Sequence, residues 1–462
     1  MNVMRGGSVR LWGAPLLALA ACSTNASHSC PDGAVADVVL SPTDVVVSAP
    51  DVVDAATPDV VDAATPDVVD AATPDVVDAA MPDVVDAAMP DVVDAPEPLA
   101  PVSAVAAGTL HTCALRGGRV FCWGDNTTGQ LGVPTIMRSV TPVEVQGIRD
   151  AAEVAVDGNA SCARHLDGTI SCWGQSISGQ LGTGVPVGRD RVLPTRVPGI
   201  RDATALVLGS GYTCVLFLGG TVSCWGSNRN HQLGDGMGGG ETERATAAPV
   251  PGLNRVVQLA AGQFSCAVRE DGKVLCWGLN FVGETASATA PTRTPEEVPG
   301  VSNAVHVGVG SGFGCAVVQS GQVYCWGDNR LGQLGERPRN LRLPPEPVPG
   351  VTDVSRLAVG WTNTCALRRN GTVICWGQGS RGELGNGTLE QTSPAPVTVS
   401  GLDNVVQLSG FAPVSNVLAN HRCALRRSDT DRLWCWGYNA DGQLGDGTTT
   451  DRAAPVRASA VP

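Results

Sequence analysis

The chain has 462 residues, 57 glycines, 32 prolines and 16 cysteines against 4% aromatic residues, and a formal charge of −13. That charge is local: of 31 basic residues only Arg5 and Arg10 precede residue 101, whereas 16 of the 44 acidic residues lie in 23–100, so 101–462 is balanced to within one charge. The balanced part carries no basic footprint for a nucleic acid, and the low isoelectric point says nothing about its partner.

Residues 1–21 read as an export signal. Arg5 and Arg10 precede a short apolar run from Leu11 to Ala21, too short to cross a bilayer as a helix. The run ends in Leu19-Ala20-Ala21-Cys22, which resembles the lipobox of bacterial lipoproteins. The resemblance implies acylation of Cys22 and, with Ser23 behind it, anchoring to the outer membrane or cell surface of a two-membrane bacterium. An ordinary cleaved signal with an incidental cysteine is the alternative.

Residues 22–100 form a second region. From Asp51 to Pro98 the unit Asp-Val-Val-Asp-Ala-Ala-(Thr/Met)-Pro occurs six times, the last copy drifting to Asp-Ala-Pro-Glu-Pro. A proline every eight residues interrupts helices and strand ladders, and the fixed like charges repel, so a disordered, extended linker is expected. Fully extended it would reach on the order of 200 Å at about 3.1 Å per residue. Calcium binding by the aspartates is the competing reading, and the glycine-punctuated loop it needs is missing.

From residue 101 onward the chain repeats itself. Cys-Trp recurs at 122–123, 172–173, 224–225, 276–277, 325–326, 375–376 and 435–436, the tryptophans standing 50, 52, 52, 49, 50 and 60 residues apart. A period of that size marks a propeller or solenoid. Each Cys-Trp is preceded about ten residues earlier by another cysteine, with a glycine-containing turn between two apolar runs, which reads as a β-hairpin. Gly168, Gly220, Gly272, Gly321 and Gly371 occupy the third position of three-residue loops, and Gly117-Gly118 suits a two-residue turn. These loop lengths keep the two cysteines opposite each other in every hairpin. Cα atoms of a non-hydrogen-bonded pair lie about 4.5 Å apart, within reach of a disulfide. Seven bridges are therefore expected: Cys113–Cys122, Cys162–Cys172, Cys214–Cys224, Cys266–Cys276, Cys315–Cys325, Cys365–Cys375 and Cys423–Cys435. Reduced core cysteines are the alternative, and zinc lacks the Cys-x-x-Cys spacing it favours. The third strand does not alternate polar with apolar, so both of its faces should be buried between neighbouring blades.

Segments such as Ala107-Gly108-Thr109-Leu110-His111-Thr112-Cys113 and Cys122-Trp123-Gly124-Asp125-Asn126-Thr127-Thr128-Gly129-Gln130-Leu131-Gly132 resemble the regulator of chromosome condensation repeat. The resemblance recurs seven times over 101–462 and implies an all-β fold, a seven-bladed β-propeller of four-stranded blades. Near its C-terminus the chain carries Ala454-Pro455-Val456-Arg457, a strand expected to complete the first blade. The family's namesake exchanges guanine nucleotides on a GTPase, and another member is a secreted inhibitor that binds through one propeller face. No residue of this chain is matched to either contact set.

The sequence offers no catalytic, metal or cofactor constellation. His28, His111, His165, His231, His306 and His421 are scattered, and no nucleophile elbow, HExxH or phosphate-loop pattern is present. Departures from the repeat are better pointers to binding. They are the Gly-rich stretch 235–244 and an insertion of about eight residues before His421, whose Phe411, Val414, Asn416 and Leu418 are candidate partner contacts. The expected function is a surface-tethered, non-enzymatic scaffold, a monomeric propeller that recognises a protein or a cell-envelope polymer. The alternatives are a secreted hydrolase and nucleotide exchange, the latter disfavoured by export. Cys30, left over from the pairing, is a candidate for an intermolecular link or a free thiol.

Overall fold

The computed structural model describes residues 100–184, 191–237, 243–288, 290–409, 420–427 and 432–462. All belong to the unit Asp91–Pro462. Among the described residues twenty-eight strands form seven four-stranded antiparallel sheets. Each sheet is one uninterrupted stretch of chain, with strand order following the sequence. The blades span residues 102–144, 151–196, 203–249, 256–297, 304–347, 354–398 and 405–457.

Within a blade the second and third strands form the cysteine hairpin. Cys113 pairs with Cys122, Cys266 with Cys276 and Cys423 with Cys435, although their loops differ in length. Turn chemistry explains the constant register. Gly272 N donates to Arg269 O and Arg269 N to Lys273 O, both at 2.9 Å, and Gly272 takes the left-handed φ of 76° that closes a three-residue loop. A Cβ there would also come within 2.6 Å of Asn303 Cα, in the connection just before the next blade. All seven cysteine pairs are bonded, with Cα atoms 4.1 Å apart.

Cysteine and tryptophan are adjacent in the third strand, so they point to opposite sides of the blade. Each tryptophan consequently packs into the seam shared with the preceding blade. Trp173 shares a cluster with Cys113 and Cys122, Trp225 with Cys162 and Cys172, and Trp436 with Cys365 and Cys375. The indole N–H is satisfied across the same seam. Trp173 Nε1 donates to Gln130 O and Trp225 Nε1 to Gln180 O, each at 2.9 Å, and the bond recurs at the other five seams. At four seams that carbonyl belongs to the Gln of a Gly-Gln-Leu-Gly segment, and at the other three to Gln232, Glu284 and Glu383 at the equivalent position, which gives this turn its structural role.

Ring closure differs from the sequence expectation. The strand Arg452–Arg457 pairs with Leu433–Gly437 and is the outer strand of the seventh blade; it does not complete the first. In every blade the outer strand hydrogen-bonds to the Cys-Trp strand before it, as Cys122 with Val143 and Cys435 with Val456. The first blade accordingly begins with its own inner strand, Val102–Ala107. Side chains close the ring: Val105, Phe121 and Trp123 pack with Leu433, Leu444 and Val461, and Trp123 Nε1 donates to Gln443 O at 2.9 Å.

Candidate functional site

Antiparallel strands send the loops from inner to second strand, and from third to outer strand, to the same face of the ring. The hairpin tips lie on the opposite face. On the first face the Asn-x-x-Gly-Gln-Leu-Gly loops are locked from within. Asn126 Oδ1 accepts from Leu131 N at 2.8 Å, and Gln130 Oε1 accepts from Thr128 N at 3.0 Å. Asn329 and Gln333 make the equivalent bonds in the fifth blade. The two residues before Gly129 and its equivalents are thereby held on a rigid stem, and they are the ones that change: Thr127-Thr128, Ile177-Ser178, Arg229-Asn230, Phe281-Val282, Arg330-Leu331, Ser380-Arg381 and Ala440-Asp441.

Over the fourth to sixth blades the variable residues Phe281, Val282 and Leu331 join Trp361, from the loop between the sixth blade's inner and second strands, in lining a groove of about 550 Å³. Phe281 is 76% exposed. The polar rim is already paired. Arg330 forks onto Asp328, with Nη2 to Oδ2 at 2.8 Å, and Glu284 accepts from Val282 N at 2.7 Å. Burial raises the Glu284 carboxyl above its ordinary range. Trp361 sits on a fixed backbone, its carbonyl accepting from Ser311 N at 3.0 Å and its N–H donating to Asn420 Oδ1 at 3.3 Å. A tryptophan and a phenylalanine in a concavity with an arginine at its edge are the large side chains that anchor interfaces.

A family model of the RCC1-like domain matches residues 79–412, and one of the regulator of chromosome condensation (RCC1) repeat matches residues 430–462. The chain belongs to the RCC1-like family. It is similar to the mitochondrial RCC1 domain-containing protein RUG3 of Arabidopsis thaliana, 31% identical over 226 residues that make up 46% of this chain and 50% of that protein. The chain thus spans about half the length of this curated relative. Human WBSCR16 has a similar fold, with a TM-score of 0.65, 23% identity and coverage of 74% of this chain and 95% of that one. Yeast RCC1 (Prp20), solved bound to Kap60, gives a TM-score of 0.64 at 18% identity, covering 78% and 85%.

In this RCC1-like ring the fourteen repeat cysteines are structural, buried in the seams rather than at the groove. His111 and His421 likewise belong to the seams. His111 Nε2 lies 2.8 Å from Ser161 Oγ and His421 Nε2 lies 2.6 Å from Thr112 Oγ1. Burial lowers each imidazole to about 3, so both stay neutral at physiological pH. Among the described residues no group of three or more His, Cys, Asp or Glu side chains is placed to hold a metal ion. Cys22, Cys30, Phe411, Val414, Asn416 and Leu418 lie outside the described residues. The residue that follows that last segment, Asn420, is the one bonded to Trp361.

Sequence reasoning missed Phe281 and Trp361. Phe281 was detectable as the one aromatic residue in the variable pair between Asn and Gly. Trp361 lies outside the Cys-Trp motif and had no spacing to mark it.

A second concavity of about 330 Å³ on the same face, across the first three blades, surrounds Asp157. Burial raises its carboxyl to about 7, opposed by backbone N–H donors from Asn159, Ala160 and Gly211. Six other blades carry Gly or Ser at this position. The folded carboxyl keeps its proton where the unfolded one, near 3.8, has released it. Its contribution to stability is therefore complete below about pH 4 and is lost as pH rises through about 7. Asp157→Asn retains the acceptor oxygen. We expect it to match the parent near pH 4 and to exceed it by about 1–4 kcal/mol near pH 8. Denaturation midpoints across that range check the prediction, and parallel pH profiles for the two proteins would contradict it.

Proposed function

We propose that this chain is a non-enzymatic binding module that captures a protein partner in the groove of Phe281, Leu331 and Trp361. The observation that carries the reading is that exposed Phe281 and half-buried Val282, Leu331 and Trp361 are gathered on loops locked to a stapled ring. Preorganised anchors lose little freedom on association, so such a site is suited to specific capture. The rim charges are satisfied within the chain, so a partner need not supply matching charges to avoid stranding them. The signal-like residues 1–21, Cys22 and the linker extend the proposal to a module tethered outside the cytoplasm. In that setting a cytosolic GTPase is out of reach and nucleotide exchange is not proposed.

A photo-crosslinker at position 281 in intact cells identifies the partner. Affinity for that partner is then measured for Phe281→Ala with Trp361→Ala. A loss of roughly tenfold to a hundredfold is expected for central anchors. Leu166→Ala with Leu218→Ala, at exposed hairpin tips of the opposite face, serves as control and should bind like the parent. The reverse pattern would move the site to the hairpin face. Cys22→Ser should shift the protein from the membrane fraction to the soluble fraction; unchanged fractionation would remove the lipid anchor without touching the groove.

A further inference from the structure

The seven inner strands surround a central cavity of about 270 Å³ to which every blade contributes. Each inner strand has a register irregularity near its start. In five blades the residue after it lines the cavity: Glu153, Gln258, His306, Arg356 and Gln407; in the other two it is Ala104 or Ala205, which pack into the seams.

Most polar members of this ring are already engaged. Glu153 accepts from Arg164 Nε at 3.0 Å, its own cross-strand neighbour. Gln258 bridges two blades, its Oε1 accepting from Val307 N at 2.9 Å and its Nε2 donating to Val307 O at 3.1 Å. Gln407 Nε2 donates to Val105 O at 3.3 Å. Arg356 and His306 are different. They stand at equivalent positions of adjacent inner strands, and neither has a hydrogen-bond or ion-pair partner among the described residues. His306 Nδ1 is sealed from solvent without a partner, which leaves Nε2 as the ring nitrogen open to the cavity. Burial first, and then the Arg356 charge, lowers this imidazole to about 4, so it is neutral.

The ring therefore holds one uncompensated positive charge, because the charges of Glu153 and Arg164 cancel. Apolar side chains such as Val154, Leu206, Leu357 and Val359 line the rest of the cavity. They keep the local dielectric low and strengthen any charge-assisted bond made there. A guanidinium presents two parallel donors matched to a planar oxyanion, and the neutral imidazole adds a third donor through Nε2–H.

We propose that the central channel binds a small monocarboxylate, held bidentately by Arg356 and by a third hydrogen bond from His306. One net positive charge, with Glu153 on the far side of the ring, selects a monoanion over a dianion. The cavity volume limits the ligand to a free small acid. This site is separate from the groove on the loop face, and neither proposal depends on the other.

The test uses the full chain labelled with 15N-histidine, with acetate exchanged for chloride at constant ionic strength and ring resonances followed by NMR. Loss of one resonance in His306→Gln assigns His306. We expect a saturable shift of that resonance and an upward move of its titration midpoint, because an adjacent anion favours imidazolium. Arg356→Gln should weaken acetate by about tenfold or more, the loss of a bidentate pair. Inorganic phosphate should bind more weakly than acetate. A non-saturable response in the parent, an unaltered response in Arg356→Gln, or phosphate binding tighter than acetate would overturn the proposal. Should Arg356→Gln fail to fold, the acetate–phosphate order and the His306 midpoint in the parent still decide it.

Discussion

Trp225→Ala should destabilise the ring by about 3–5 kcal/mol, the range for deleting a large buried aromatic side chain. Trp225 is fully buried between the second and third blades, packed with Cys162, Cys172, Leu181 and Val215. Its indole bonds to Gln180 O at 2.9 Å, and that carbonyl also accepts from Thr213 Oγ1 at 2.9 Å. Loss of the indole therefore leaves the carbonyl with one bond, and the cavity dominates the cost. Trp225→Phe, which keeps much of the volume but not the N–H, should cost less. Gly182→Ala attacks the same seam from the other side. Its Cβ would lie 2.4 Å from Trp225 Nε1, at a φ of 67° that L-residues rarely adopt. Guanidinium midpoints check the series. A cost within about 0.5 kcal/mol for Trp225→Ala, a typical surface value, would mean the seams do not carry the fold.

The second large effect is redox. Each disulfide closes a hairpin of about ten residues, worth about 2–3 kcal/mol in the chain-entropy model. Together they approach or exceed the roughly 5–15 kcal/mol by which a typical domain is stable. All fourteen sulfurs are buried at 1% exposure or less. In native buffer a thiol reductant should reach none of them, and thiol counts should stay at those of cysteines outside the hairpins. In guanidinium all seven should open. Diluted back into reducing buffer, the chain should fail to regain its near-ultraviolet signal, whereas the oxidised chain should recover it. Rapid reduction under native conditions, or full recovery without the bridges, would show the staples to be incidental.

Much of this architecture was legible because the repeat is written in local terms. A hairpin register depends on turn length and glycine placement, both visible in sequence, so Cys266 and Cys276 could be placed opposite each other directly. Tryptophan beside cysteine on a doubly buried strand likewise foretold a seam on each side of the blade. The closing strand was not legible. Ala454-Pro455-Val456-Arg457 could pair with a hairpin before it or with the first blade, and only the ladder between Cys435 and Val456 separates these arrangements. Spacing alone carries no information about which neighbour a Pro-Val strand joins.

The candidate sites divide along the same line. Phe281, Leu331 and Trp361 are 30 to 80 residues apart in sequence, and His306 and Arg356 are one repeat apart. Their proximity follows from how blades are set around an axis, a rotation that no local pattern specifies. The sequence by itself determined the seven units, their hairpins and their cysteine pairing, because those depend on contacts about ten residues apart. Only the tertiary structure decided which side chains from different blades share a groove or a channel, because that depends on the stacking of separately formed sheets.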